Sequence, residues 1–232
     1  MVPAEVNARE GLPPGPPVPS GREVRDLREI ALRGVHACSK GRAFLRDVLG
    51  REFEKSGFPP RLRAAASDLA SGVIRRRLTL DHLISPCSDL ALRKVHPLLL
   101  DILRLAAYEI LFVERIPAHA SVSEAVNLAK RLVRPEFAGF ANAVLRHLIR
   151  DIEATAGIDG PFRPSARELR IGPRRVVRFR RDVFPDPGTD AIGWLVSAGG
   201  QPGWLVERWM RTTEAARVVG TWRASANRWR QM

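Results

Sequence analysis

The chain has 232 residues and carries 38 Lys and Arg against 25 Asp and Glu, a formal net charge of +13, with a pI of about 11.3. Hydrophobic residues make up 45%, charged residues 27% and aromatic residues 6%, which excludes disorder throughout and favours a helical globule over a β-sandwich. No apolar run approaches the ~18–20 residues that span a bilayer, the N-terminus has Pro and Gly where a signal peptide is apolar, and Cys38 and Cys87 are too few for a disulfide framework, so a cytoplasmic protein is expected.

Residues 1–20 hold six prolines and few large apolar side chains, and are read as a disordered tail. From Val24 to about Ile152 apolar residues recur at helical spacing. Val24, Leu27, Ala31, Val35 and Cys38 form the stripe of a first helix, with Arg25, Arg28 and Arg33 placed off it. Phe44 to Phe53 give a second helix that stops near Gly57, and Pro59-Pro60 introduce a third, running through Leu62, Leu69 and Val73 into Arg75-Arg76-Arg77. A short helix carries Leu80, Leu83 and Ile84. Pro97 opens a strongly apolar central helix that stops before Pro117. Ser121 and Glu124 match a capping box for a helix to about Val133, and Pro135 opens another with Phe137, Phe140, Val144 and Leu148. These elements predict an all-α body of about seven helices.

Beyond Gly157 the chain is punctuated by Gly160, Pro161, Pro164, Gly172 and Pro173, then by the basic run Arg174 to Arg181, which predicts a linker or a short strand across 157–200. A last helical region is expected from about Trp204 to Trp229, and all five Trp lie between 194 and 229.

Thirty-four of the 38 basic residues are Arg, whose guanidinium binds phosphate in bidentate fashion. Polyanions are therefore the first partners to consider. Arg22, Arg25, Arg28 and Arg33 on the first helix and Arg75, Arg76 and Arg77 after the third are the leading phosphate-contact candidates, with Arg93 and Lys94 as lesser ones. Arg178, Arg180 and Arg181 with Phe179 could track a single strand by charge and stacking; a solvated basic face is the alternative for each group. Tyr108 is read as core, and Asn142 as a side-chain-to-backbone hydrogen bonder. The pairs His36/Cys38 and His82/Cys87 match no four-ligand zinc pattern, and Glu109, Glu114 and Glu124 read as caps or ion-pair members, so no metal and no acid–base site is expected.

The run Ile102–Leu111, then Ile116-Pro117-Ala118-His119, Ser123–Lys130 and Phe140–Arg146 resembles the central helices of the NusB-like fold. That fold is shared by the antitermination factor NusB and the amino-terminal RNA-binding domain of the RsmB (Sun/Fmu) ribosomal RNA cytosine-5 methyltransferases. The likeness includes Arg28-Glu29-Ile30-Ala31-Leu32-Arg33 and implies an RNA-binding domain over 21–156. Two details resemble the methyltransferase branch. The last motif reads Asn142-Ala143-Val144-Leu145-Arg146, where NusB proteins more often have Gly after Asn and Asp after Leu. The segment Gln201–Trp209 is similar to the H-P-x-W-L-V-x-R-W start of the region joining the RNA-binding and catalytic domains, which places that join at 201–232 and makes Trp204, Trp209 and Trp222 anchors for a catalytic domain. Residues 157–200 depart from the family's short join.

Such an enzyme needs a Gly-rich loop after a strand for S-adenosylmethionine, an acidic residue for its ribose, and a Cys nucleophile. No strand-loop-helix of that kind is legible here, and Ser85-Pro86-Cys87 holds a Pro-Cys dipeptide inside the helical body, so Cys87 is read as a structural thiol. The expectation is the ribosomal RNA recognition part of an RsmB-type methyltransferase without catalytic residues or cofactor, S-adenosylmethionine belonging to a missing catalytic domain. Two rivals stand beside it. One is an antitermination factor binding boxA-like RNA with a small-subunit ribosomal protein; the other is a scaffold that binds no RNA.

Overall fold

The computed structural model of the chain describes residues 21–41, 43–159 and 161–212. Seven helices form the body: α1 (Gly21–Ser39), α2 (Leu45–Ser56), α3 (Pro60–Arg75), α4 (Arg77–Ile84), α5 (Pro97–Phe112), α6 (Ala118–Leu132) and α7 (Phe137–Asp151). Three strands follow, β1 (Ile152–Gly157), β2 (Glu168–Gly172) and β3 (Arg175–Phe179), then α8 (Ala191–Ser197) and α9 (Gly203–Met210). No helix among the described residues is long and apolar enough to cross a membrane.

Local chemistry sets the helix ends. Gly57 closes α2 with φ 63°, its N–H bonded to the Phe53 carbonyl, and Pro60 and Pro97 occupy first-turn positions where no N–H is needed. Helix α5 buries residues around its whole circumference, from Leu99 and Ile102 to Leu105 and Leu111. A helix apolar on every side belongs in the centre; accordingly α1, α3, α4, α6 and α7 all pack on it. Gly72 lets α3 and α5 approach closely, because a Cβ there would overlap the Tyr108 ring. That ring stacks on Phe112 at 4.9 Å, a half-buried place consistent with its reading as core.

Helix α6 begins behind Pro117 rather than at a Ser121/Glu124 capping box. Ser121 is buried inside the helix and its hydroxyl has no partner, since the apolar face that includes Val122 and Ala125 turns it inward. Asn142 accepts from Arg146 Nε at 2.9 Å and so bonds a side chain one turn away.

Residues 157–200, read as a linker or a short strand, carry β2, β3 and α8. The sheet has the order β1-β3-β2, both pairings antiparallel. Leu169 and Thr155 lie opposite Val177, and Leu169, Val177, Phe179, Phe184 and Trp194 join the same hydrophobic core as Leu80, Leu83 and Leu148 of the bundle. Phe184 stacks on His82 at 5.5 Å and meets Phe179 edge-on at 5.9 Å, while His82 Nε2 lies 2.7 Å from the Val183 carbonyl. Helix α8 is capped by Asp190, which accepts from the Gly193 N–H at 2.8 Å, and it packs on α4. The seven-helix expectation thus holds for the body, and the chain adds a small sheet to it. In α9, Val206 is buried whereas Trp204 and Trp209 are 66% and 43% exposed; the expected helix beyond Met210, with Trp222 and Trp229, lies outside the described residues.

Candidate nucleic-acid interface

The α1 arginines divide sharply. Arg22 and Arg25 fall in the first turns of the helix, and their side chains lie outside the described residues. Arg28 is not a surface residue: it is 5% exposed, and its Nε donates to Glu109 Oε1 on α5 at 2.7 Å. A guanidinium so placed balances a buried carboxylate and cannot reach a phosphate, so Arg28 leaves the candidate set. Arg33 is exposed but bonded to Glu29 at 2.8 Å and Glu52 at 2.7 Å; these carboxylates raise its pKa and neutralise its field.

The corner between α3 and α4 is different. Arg75 and Arg77 are exposed and Arg76 is half-buried. The Arg76 guanidinium sits 5.2 Å over the Phe112 ring, and burial lowers its pKa, with Arg75 adding repulsion and Tyr108 opposing it. Only Arg77 has a carboxylate within reach, Asp81 at 3.9 Å. Arg93 and Lys94 are exposed in a one-turn 3₁₀ helix, and Arg93 borders an open cleft of about 700 Å³ together with Arg181.

On the sheet, Arg178 pairs with Glu168 at 2.9 Å and Arg181 with Asp151 at 2.6 Å, while Arg180 Nε donates to the Arg150 carbonyl at 3.0 Å. Phe179 is fully buried and cannot stack on a base. The strand's alternation explains this: Val177 and Phe179 enter the core, and Arg178 faces out. Of the candidates whose side chains are described, Arg28, Arg33, Arg77, Arg178 and Arg181 each have a carboxylate partner, whereas Arg75, Arg76, Arg93, Lys94 and Arg180 are in no ion pair.

Other polar clusters are structural. Arg104 bonds Asp81 at 2.6 and 2.8 Å and Asp101 at 2.8 Å. Asp101 also lies 2.8 Å from His36 Nδ1 and accepts from Ser39 Oγ at 3.0 Å. Burial opposes the Arg104 charge, yet Asp81 and Asp101 hold its pKa above the usual value. Cys87, His147 and Asp151 place their donor atoms within 4.8 Å of one another, the one such group among the described residues. Burial and the Asp151 charge push the Cys87 thiol up to about 11, so it is protonated near neutrality and is no ready nucleophile. Asp151 is engaged by Arg181. The sheet among the described residues is three short antiparallel strands.

Buried ion pairs bracing a seven-helix body, with open arginines at one corner, describe a helical binding module. A chain of the solved complex of the antitermination factors NusB and NusE with dsRNA has the same fold, with a TM-score of 0.51, 17% identity and coverage of 56% of this chain and 97% of that one. The NusB family model matches residues 25–150, and the chain belongs to the NusB family. It is 34% identical over 127 residues to the transcription antitermination protein NusB of Trichlorobacter lovleyi, covering 53% of this chain and 88% of that protein. It is 28% identical over 143 residues to ribosomal RNA small subunit methyltransferase B of Bacillus subtilis (strain 168), 61% of this chain and 32% of that protein. It is 31% identical over 179 residues to a methyltransferase of Mycobacterium tuberculosis (strain CDC 1551 / Oshkosh), 77% of this chain and 38% of that protein. The chain thus spans about a third of the length of the methyltransferases it matches.

Proposed function

We propose that this chain is an RNA-binding NusB-family module of the cytoplasm and forms the ribosomal RNA recognition part of an RsmB-type cytosine-5 methyltransferase. One observation carries the choice of branch. The likeness to the mycobacterial methyltransferase runs over 179 residues, past the 25–150 reach of the NusB model, and so takes in part of the segment that carries the sheet. In this reading the chain holds RNA through Arg75, Arg76, Arg77, Arg93 and Lys94, and S-adenosylmethionine chemistry belongs to residues outside this sequence. The likeness to a whole NusB favours the antitermination reading, since the chain covers 88% of that relative; a small-subunit ribosomal protein would then be a partner.

The test is fluorescence anisotropy with a ribosomal RNA hairpin. If about three phosphates are neutralised, the log–log salt slope is near −2.7, roughly a 40-fold loss of affinity from about 50 to about 200 mM salt. The pair Arg75→Glu/Arg77→Glu flattens that slope. Absent or salt-independent binding would defeat the RNA reading. Capture of a small-subunit ribosomal protein by the chain, together with a preference for boxA-like RNA over the hairpin, would select the antitermination branch.

A further inference from the structure

A cleft of about 440 Å³ opens where the sheet meets the bundle, lined by Phe162, Trp194, Arg76, Arg170 and Ile171 together with the Ala198–Gly199 turn. Its volume is within the ~300–1,000 Å³ of small-ligand sites. Phe162 and Trp194 have ring centroids 6.3 Å apart and tilted by 30°, and the Trp194 indole is fixed by its N–H to the Ser165 carbonyl at 2.9 Å. The Arg170 guanidinium sits 5.7 Å over the Phe162 ring and donates to the Gly172 and Pro173 carbonyls, at 3.1 and 3.3 Å.

The electrostatics of this cleft are one-sided. Its lining has two arginines and no carboxylate, whereas Arg175 and Arg178 on β3, and Arg167 and Arg181 beside the sheet, each meet an acid. Gly200, with φ +70°, seats its turn against the Arg75 carbonyl and Thr79 Oγ1. That contact sets the cleft beside the Arg75–Arg77 corner, so an RNA strand on the corner can continue into it. An aromatic ring sharing a cleft with two arginines that meet no carboxylate suits a base flanked by phosphates, because stacking tolerates any base and guanidinium both stacks and binds phosphate.

From these observations we infer that the cleft receives an unpaired nucleotide of the bound RNA, stacked beside Phe162 with Arg76 and Arg170 on its phosphates. The inference rests on the RNA-binding reading and adds to it a single-strand site that, Arg76 apart, lies outside the residues matched by the NusB model.

The experiment compares two hairpins of identical stem, one with an intact unpaired loop and one whose loop is abasic, by anisotropy against the full chain and the variants Phe162→Leu and Arg170→Glu. Phe162→Leu keeps an apolar side chain and Arg170 is exposed, and circular dichroism with a thermal melt checks that each variant folds. The wild type is expected to prefer the intact loop about tenfold, within the range for one stacked base. Both folded variants lose that preference while still binding the stem. Equal wild-type affinity for both hairpins, or a preference unchanged in both variants, overturns the inference and leaves the RNA reading standing. Binding to neither hairpin at low salt overturns the RNA reading and the inference with it. Displacement of the intact loop by adenosine monophosphate as readily as by oligonucleotide would assign the cleft to a free nucleotide instead and overturn the single-strand site.

Discussion

The Arg28–Glu109 pair makes the sharpest test of how this fold is held. The side chains are 6% and 2% exposed and meet at 2.7 Å, joining α1 to the central helix. Replacing Glu109 with Leu leaves a guanidinium sealed in the core, a loss of about 3–5 kcal/mol. At about 2–4 °C per kcal/mol for a chain of this size, the melting temperature falls by roughly 6–20 °C. Arg28→Met, which strands the carboxylate, costs a similar amount. The double variant Arg28→Met/Glu109→Leu removes both charges and restores apolar volume, and it recovers most of the loss, because neither ion then needs a partner. Urea denaturation of the four proteins supplies the cycle, read from midpoints and slopes. A cost under about 1 kcal/mol for either single change, or a double loss equal to the sum of the singles, would show that the two buried charges do not depend on each other. The same double variant binds RNA as tightly as the wild type, since Arg28 never reaches the surface; a drop in affinity would return Arg28 to the interface.

Gly72→Ala drives a methyl group into the Tyr108 ring and destabilises by about 1–3 kcal/mol; Tyr108→Leu in the same chain relieves part of it, and a thermal melt of both shows whether the ring is the obstacle. In the native protein at pH 8, iodoacetamide modifies Cys87 more slowly than Cys38, because burial raises both thiols and carries Cys87 to about 11; equal rates by mass spectrometry would contradict this. Since the folded pKa lies above the unfolded one, the protonated Cys87 contributes fully below about pH 9 and its contribution, on the order of 2 kcal/mol, fades as pH rises through about 11. Wild type therefore loses more stability than Cys87→Ala over that window in urea titrations. Truncation after Gly157 removes Leu169, Val177, Phe179, Phe184 and Trp194 from the shared core, and the shortened chain melts at a lower temperature; an unchanged melt would make the sheet an independent attachment.

Much of the bundle is legible in the sequence because each helix spans several turns, so the 3.6-residue period repeats often enough to be read. Strands of five or six residues offer no such repetition, and in β3 the apolar Val177 and Phe179 are set among four arginines at 174, 175, 178 and 180, whose charge conceals the buried face. The burial of Arg28 does leave a trace in the sequence. Arg28 lies four residues after Val24 and three before Ala31, beside the apolar stripe, and Glu109 interrupts the most apolar helix of the chain; a charge in each place requires an opposite partner. The capping-box pattern at Ser121 and Glu124 competes with the buried face of the same helix, and the face prevails. Phe162 and Arg170 carry no periodic signal, since only tertiary packing brings a Pro- and Gly-rich segment against α8 and the α3–α4 corner.

Helix α7 ends at Asp151 and β1 begins at Ile152 with no residue between them, and the Asp151 carbonyl accepts the Arg180 N–H at 2.8 Å. The junction behaves as a rigid crank. Each residue added to or removed from a helix turns the chain beyond it by about 100° and shifts it by about 1.5 Å, so a single insertion there would swing the sheet relative to α7 and carry Arg170 away from Arg76. Loop lengths within the sheet can change without that penalty, whereas the spacing from Phe137 to Ile152 sets the angle at which the two halves of the molecule mesh.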